Sequence, residues 1–239
     1  GIDQYSKPSP RIAIWEGQDL ELCHRHHSHL ACIYPFDTLG ASPSLEIQEV
    51  VENSVDHWIH RGMGEWSEWC MPWAAIIQTR LGLGQGAELL MHIWRELFLN
   101  ESMCSVYLPR FRGFSSHRRD DMKKPKETSE VMQLEGTMIG AVALIEMLVH
   151  THAGVMKLFG GAPPKWRDAS FRGVRQPGPF IVSATRRDGV FRESEITSFG
   201  KSKLCLDIPG VRTVRVEMAG RSCEMSLPAT LEFGQAEVA

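Results

Sequence analysis

Near the start of the chain, many side chains that donate or accept hydrogen bonds lie within one short stretch, from Glu16 to Pro35. This stretch holds four of the ten histidines, together with one arginine: His24, His26, His27, His29 and Arg25. The acids Glu16, Asp19 and Glu21 precede the histidines. Imidazole, guanidinium and carboxylate groups all form hydrogen bonds with hydroxyls, so this composition favours a polyhydroxylated, uncharged ligand.

The same histidines suggest two other interpretations, a metal site and a loop packed for structural reasons. His24 and His26 cannot share a helical face, although His26 and His29 could at a three-residue step. A zinc site typically has a helical i, i+4 pair or a CxxC partner, and this stretch has neither. We therefore predict no metal and no cofactor, and the structural interpretation stays open.

Composition limits the classes of function. The chain has 26 Lys and Arg against 29 Asp and Glu, and its formal net charge of −3 lacks the basic excess of a nucleic-acid-binding protein. No apolar run reaches the roughly 18 residues of a membrane span. We therefore predict neither nucleic acid nor membrane as a partner. The length of 239 residues allows one or two domains.

Three further features concern processing and redox state. The six cysteines are scattered without CxxC spacing and are interpreted as mostly buried thiols, with any pairing left open. The chain begins Gly-Ile-Asp, which predicts either a processed chain or a piece of a longer one. A lone glycosylation sequon at Asn100 is a minor sign of secretion.

Apolar residues at helical spacing predict four helices in the first part of the chain. The predicted helices run from Ser44 to Arg61, from Ser67 to Leu81, from Gln85 to Leu99 and from Gly136 to Gly154. Between the third and the fourth, residues 102–130 predict a long irregular loop. Its charged run from His117 to Lys126 is interpreted as solvated surface.

The pattern changes after Pro163-Pro164, where short β-rich runs alternate with Gly, Asp or Pro turns. The predicted strands are residues 180–185, 190–199, 203–208, 211–218, 223–227 and 230–233. Arg187-Asp188-Gly189 is typical of a hairpin turn. The sequence therefore predicts an α+β protein with two domains, a helical domain over residues 1–165 and a small antiparallel β-domain over residues 166–239.

Three segments together resemble a known family. HRHHSHLACIYP resembles the HRHxSHLxGLYP signature of glycoside hydrolase family 95, whose founding activity is α-L-fucosidase. RGMGEWSEWCMPWAAIIQTRLGLGQGA resembles the helix-pair segment of that family, and MQLEGTMIGAVALIEMLVHTHAGVMKLFGGAPPKW resembles its QIDG segment. The likeness is collinear from residue 11 to about residue 208.

The resemblance implies an (α/α)6 barrel followed by a β-domain, and inverting hydrolysis of a terminal sugar. A complete barrel has more helices than the four predicted here. We therefore expect the chain to supply part of the toroid, with an N-terminal part of the same enzyme as its partner. The family favours an extracellular or secreted location. The expected substrate is a carbohydrate that carries terminal α-L-fucose or a similar L-sugar.

An inverting glycosidase needs an acid for the leaving oxygen and a base for water, with carboxyls roughly 6.5–9.5 Å apart. By the resemblance, Glu135 of QLEG takes the place of the Asp of QIDG and is the predicted base. The family acid lies on a Glu-Trp step upstream of its HRH motif, but Ile14 stands at that position here. Glu16 is the predicted substitute acid, and Asp19 is the alternative.

The resemblance also assigns sugar contacts. Arg25 and His26 match residues that contact the sugar in the family. His24 is placed beside them, either as a further contact or, like His29, as a brace of the loop. Trp66 and Trp69 could each offer a stacking face, although helical spacing favours a core role for Trp69. The neighbouring acids Glu65 and Glu68 are interpreted as solvated.

One departure from the family pattern bears on activity. The family uses a pair of asparagines, upstream of the HRH motif, to position the group that activates water. The only asparagines here are Asn53 and Asn100, and neither stands in a matching context. The alternative function is therefore a degenerate, non-catalytic carbohydrate-binding relative, and a third hypothesis is a metal-dependent hydrolase that uses the histidines.

Overall fold

Helices precede strands along the chain in a computed structural model that describes residues 9–39, 44–111, 113–116 and 131–234. Within these ranges the α-helices are α1 (Leu45–His60), α2 (Cys70–Arg80), α3 (Gly84–Phe98) and α4 (Leu134–Leu148). A short 3-10 helix covers Ser28–Leu30. The first three helices begin and end within three residues of their predicted bounds. The charged run from His117 to Lys126 belongs to the predicted loop and lies outside the described residues.

The first helix shows why the apolar periodicity was informative. Its buried side chains follow the i, i+3, i+4, i+7 pattern of one helical face: Val51, Ser54, Val55 and Trp58. Ser44 caps its N-terminus, because its side chain accepts a hydrogen bond from the Ile47 amide (3.3 Å). No helix among the described residues is long and apolar enough to cross a membrane.

By its internal contacts the chain divides into two compact units. Unit 1 consists of Gly1–Ile77 and Leu90–Gly140 and contains the histidine-rich stretch. Unit 2 consists of Gln78–Leu89 and Ala141–Ala239 and contains the strands. The division cuts through three helices, so each of them contributes one end to each unit.

Unit 2 is built from three sheets. Its strands are β1 (Val149–His152), β2 (Val155–Leu158), β3 (Ala169–Gln176), β4 (Phe180–Arg187), β5 (Val190–Ser198), β6 (Ser202–Asp207), β7 (Thr213–Met218), β8 (Arg221–Ser226) and β9 (Ala229–Phe233). One sheet has the order β1-β2-β6-β9, another β3-β4-β5, and β7 pairs with β8 alone. The class is α+β, as the change of periodicity predicted.

Two details of the prediction are wrong. The fourth helix ends at Leu148 rather than Gly154, because a β1–β2 hairpin follows, turning at Ala153 and Gly154, whose φ angles are 52° and 76°. Strands therefore begin before the Pro163-Pro164 step. The sheets are also not wholly antiparallel, since β2 pairs in parallel with β6.

The apolar core of unit 2 lies among these strands. Its fully enclosed members are Val149, Met156, Leu158 and Val182. The alternating burial along β4, with Phe180, Val182 and Ala184 inward, is the period-2 pattern of a strand with one buried face. Unit 2 thus has a core of its own.

Candidate functional site

The histidine-rich stretch leads into the 3-10 helix of unit 1, and its side chains differ sharply in exposure. His24 and Arg25 are exposed, and His26 is half-buried. The His26 amide donates to His24 Nδ1 (3.0 Å), and the two rings stack with centroids 4.9 Å apart. The Arg25 carbonyl accepts a hydrogen bond from Cys70 Sγ (2.9 Å). The loop is therefore tied to the start of α2 and presents three polar side chains outward.

His27 is fully buried, and both of its ring nitrogens are bonded. Its Nδ1 accepts a hydrogen bond from Trp58 Nε1 (3.1 Å), so the ring proton lies on Nε2, which donates to the Cys70 carbonyl (3.2 Å). Trp58, Trp66 and Trp73 surround the ring at centroid distances of 4.8, 4.7 and 5.2 Å. Burial lowers the pKa of His27 to about 3. This neutral imidazole anchors the loop and does not reach a ligand.

His29 is also buried. Burial lowers its pKa to about 4, with a further contribution from the nearby His57. Its Nε2 has no hydrogen-bond partner within the described ranges. Packing in the interior, rather than hydrogen bonding through this nitrogen, holds His29 in the loop.

His26 contacts Trp69, whose ring meets it edge-on with centroids 5.0 Å apart. Burial, together with His24 and Arg25, lowers the pKa of His26. A neutral imidazole has one donor and one acceptor nitrogen, which is the combination that binds a sugar hydroxyl. Trp69 is half-buried, so it lies at the edge of this polar surface.

The position of Trp66 does not suit the predicted stacking face. Its side chain is 2% exposed and stacks on Trp58 with ring centroids 5.1 Å apart. Both rings pack around His27, which explains why a tryptophan is enclosed here. Of the two tryptophans considered, Trp69 is the more accessible and Trp66 belongs to the core.

Glu135 lies in the first turn of α4 and is exposed. The Gln133 amide, oriented with its nitrogen toward the carboxylate, donates to Glu135 Oε1 (2.6 Å) and Oε2 (3.2 Å). The Gln and the Glu of QLEG therefore contact each other directly. A negative charge in the first turn also interacts favourably with the helix dipole.

Gly136, the next residue, is closely surrounded. A Cβ at this position would stand 2.5 Å from Ser105 Oγ and 2.7 Å from Glu68 Cγ, which is closer than real Cβ atoms come. A glycine is therefore required where α4 begins, because two side chains of unit 1 pack directly on its backbone.

Glu68 is the functional candidate that sequence reasoning missed. The sequence predicts a solvated side chain, but Glu68 is 1% exposed, and no described residue forms a hydrogen bond with its Oε2. Burial raises its pKa to about 7, and the nearby Glu135 charge adds to the shift. The short segment Trp66–Trp69, which we call the α2 approach, thus places Glu68 against α4 and Trp69 against His26.

The two predicted acids lie in different surroundings. Glu16 is exposed in a turn closed by the Trp15–Gln18 bridge. Asp19 pairs with Arg11 and lies 3.9 Å from His57 Nε2. Burial alone would raise the pKa of Asp19, but Arg11, the Leu20 amide and His57 outweigh it and hold that pKa below its usual value. Asp19 is thus held ionised, which is unfavourable for a general acid.

In the part of the chain that the structure describes, no group of three or more His, Cys, Asp or Glu side chains is arranged to hold a metal ion. All six cysteines are free thiols.

The chain was compared with models of known protein families. A family model described as the glycosyl hydrolase family 95 catalytic domain matches residues 13–148. The matched span includes the histidine-rich stretch, the α2 approach and Glu135. No curated protein matches the chain.

Proposed function

Because this chain belongs to glycoside hydrolase family 95, we propose that it acts on a terminal α-L-fucoside or a similar L-sugar glycoside of an oligo- or polysaccharide, with inversion. Family membership supports a glycosidase. The choice of sugar and stereochemistry follows from the likeness of the HRHHSHL and QLEG segments to the family motifs.

The observation that carries the proposal is the pair of contacts made by the α2 approach. Trp69 meets His26, the predicted sugar contact, at 5.0 Å between ring centroids. The adjacent Glu68 packs on the backbone immediately after Glu135, the predicted base. Consecutive residues of one short segment therefore contact both halves of the proposed site.

In this proposal Glu135 accepts a proton from the attacking water, because it is an exposed carboxylate on a rigid helix start. Arg25 and His26 hold sugar hydroxyls, and His24, stacked on His26, adds a third hydrogen-bonding group. Glu16 protonates the leaving oxygen. Asp19 is the weaker candidate, since Arg11 favours its ionised form.

We further propose that the helices form part of an (α/α)6 toroid completed by an N-terminal part of the same enzyme, with the β-domain following from about residue 166. One face of α4 supports this, because it exposes the apolar side chains Leu134, Met138 and Ile145. Contiguous exposed apolar side chains favour burial against further chain. We therefore expect hydrolysis to require the N-terminal part of the enzyme as well as these 239 residues.

Replacing the base tests the proposal. In the enzyme that carries this chain, Glu135→Gln keeps the shape and removes the base, so kcat on an aryl α-L-fucoside should fall by about 10²–10⁴-fold with little change in substrate binding. Glu135→Asp should retain part of the rate. The control is Glu65, an exposed acid of the same unit, and the kcat of Glu65→Gln should match that of the parent.

Two results would contradict the assignment. One is a parent rate in Glu135→Gln. The other is a product whose anomeric configuration, followed by NMR during turnover, is retained.

The second candidate function is a non-catalytic carbohydrate-binding relative. Ile14 favours it, because an apolar side chain stands where the family acid is expected. In that case calorimetry would detect binding of a fucoside to the parent protein, and Arg25→Ala would abolish this binding. Neither the parent nor any variant would release sugar.

A further inference from the structure

We propose that Glu68 is a positioning residue for Glu135: its buried side chain packs beneath the start of α4 and fixes the backbone that carries the base. This inference rests on the proposed function, because it takes Glu135 as the base. Nothing in the family resemblance assigns a role to Glu68.

The first support is steric. Glu68 Cγ lies 2.7 Å from the point where a Cβ of Gly136 would stand, and Ser105 Oγ lies 2.5 Å from it. Ser105 is itself held against α4, because its backbone amide donates a hydrogen bond to Thr137 Oγ1 in the first turn of that helix (2.9 Å). Glu68 and Ser105 together hold the first turn of α4 in place.

The second support is electrostatic. Glu68 is 1% exposed, its Oε2 has no partner, and the charged group that acts on it within the described residues is another acid, Glu135. Cys70 of α2 also lies nearby, but burial raises its thiol pKa to about 12, so it stays neutral. A buried carboxyl beside a second carboxylate is stable in its neutral form.

Two simpler roles do not fit these facts. A general acid must reach the leaving oxygen, and a side chain that is almost wholly enclosed does not reach a substrate. An acid that merely caps α2 would be favoured as the anion by the helix dipole and would have a lowered pKa. Hydrogen bonds from Ser67 and from the Glu68 and Trp69 amides do lower the pKa of Glu68, but burial outweighs them.

The neutral state has a consequence for the site. While Glu68 keeps its proton, the negative charge of the pair belongs to the exposed Glu135, which can receive the proton of water. Once Glu68 ionises, two adjacent carboxylates repel each other and the start of α4 is pushed out of position. Activity should therefore fall as the pH rises through about 7.

The test is a carboxyl titration by NMR on the 239-residue chain labelled with ¹³C at the glutamate side-chain carbonyls. We expect one glutamate to titrate near pH 7 and to vanish from the spectrum of Glu68→Gln. Glu135→Gln should lower that apparent pKa by about half a unit or more, because it removes a nearby negative charge. Glu65→Gln, the control, should leave it unchanged. A Glu68 signal that titrates near its ordinary value, or that ignores Glu135→Gln, overturns the proposal.

The second arm measures kcat against pH in the enzyme that carries this chain. The parent should lose about tenfold in rate per pH unit above about 7, and Glu68→Gln should remove this decline while keeping most of the rate at pH 6. An unchanged profile in Glu68→Gln overturns the positioning role. If the Glu68 titration responds to Glu135→Gln but neither the parent nor any variant hydrolyses a fucoside, the proposed function is wrong. The electrostatic interaction between Glu68 and Glu135 is then still supported.

Discussion

Two glutamates among the described residues are almost fully buried, one in each compact unit, and their surroundings are opposite. In unit 2, Glu88 is 7% exposed, and its oxygens meet Lys165 Nζ and Trp166 Nε1, both at 2.8 Å. In unit 1, Glu68 is 1% exposed and leaves Oε2 without a partner beside a second acid. A buried acid whose oxygens are bonded to a cation and a donor is typical of a structural role, whereas a buried acid with an unbonded oxygen beside a second acid marks a functional candidate.

Another acid of unit 2, Glu146, is also bonded to a cation, as Glu88 is. Arg80 of α2 binds Glu146 of α4 through two guanidinium nitrogens, each 3.2 Å from a carboxylate oxygen. The comparison therefore predicts opposite signs: neutralising an acid in unit 2 destabilises the fold, and neutralising Glu68 stabilises it above neutral pH.

The largest expected effect comes from breaking the unit 2 pair. Glu146→Ala should cost about 3–5 kcal/mol in the free energy of unfolding, because it removes the carboxylate that binds the buried Arg80 guanidinium through two hydrogen bonds. Urea unfolding measures this. The double variant Arg80→Met with Glu146→Met should recover most of the loss, since apolar side chains of similar size replace both charges. A double variant as unstable as the single one would show that the pair has another role.

A smaller effect, dependent on pH, is expected at Glu68. Its folded-state pKa of about 7 lies above the ordinary value of 4.5. The stability it contributes is therefore fully present below about pH 4.5 and is lost as the pH rises through about 7. Glu68→Gln should remove this dependence and be more stable than the parent at pH 8, by at most about 3 kcal/mol.

Thermal unfolding of Glu68→Gln at pH 5 and pH 8 checks this expectation. Glu88→Gln is the matched control and should destabilise the protein at both values, because it weakens a compensated site. If both variants changed stability in the same direction at pH 8, the contrast between the two units would be wrong.

The smallest expected effect concerns the packing that brings Glu68 to α4. Gly136→Ala should destabilise the protein by about 1–3 kcal/mol, since the new methyl group overlaps Ser105 and Glu68. Gly86, the third residue of α3 as Gly136 is of α4, faces only the flexible Gln78 side chain at 3.1 Å. Gly86→Ala should be neutral or should stabilise by up to about 1 kcal/mol through helix propensity. Equal costs at the two glycines would argue against close packing at Gly136.

Much of the fold was predictable from local pattern. Apolar spacing located α1 and α3, because each of them buries one stripe of side chains. The dense apolar run of α2 located a helix that is buried almost all round. The end of α4 was not predictable in this way. The apolar run from Met138 to Val149 continues the helical spacing, and only the β1–β2 pairing, a tertiary contact, converts Val149 into a strand residue.

The site was predictable in part and for a clear reason. The sequence motifs named His26 and Glu135, but they contain no information about which carboxyl is buried. Glu68 lies between two tryptophans in sequence and resembles a surface residue. Its burial depends on Gly136, far along the chain, where a missing side chain opens the space. In the same way Trp66 and Trp69 look alike in sequence, and the buried ring of His27 determines which of them is enclosed.

The parallel pairing of β2 with β6 constrains when unit 2 can fold. β1 and β2 are adjacent in sequence, but the rest of their sheet comes from β6 and β9. The strands β3, β4 and β5 lie between β2 and β6 in the chain, and β7 and β8 lie between β6 and β9. Local pairings such as β3-β4-β5 and β7-β8 close short loops and form early, whereas distant pairings form slowly. During synthesis the β1–β2 hairpin therefore waits with an unpaired edge until β6 has emerged, and during that interval a chaperone would have a strand edge to bind.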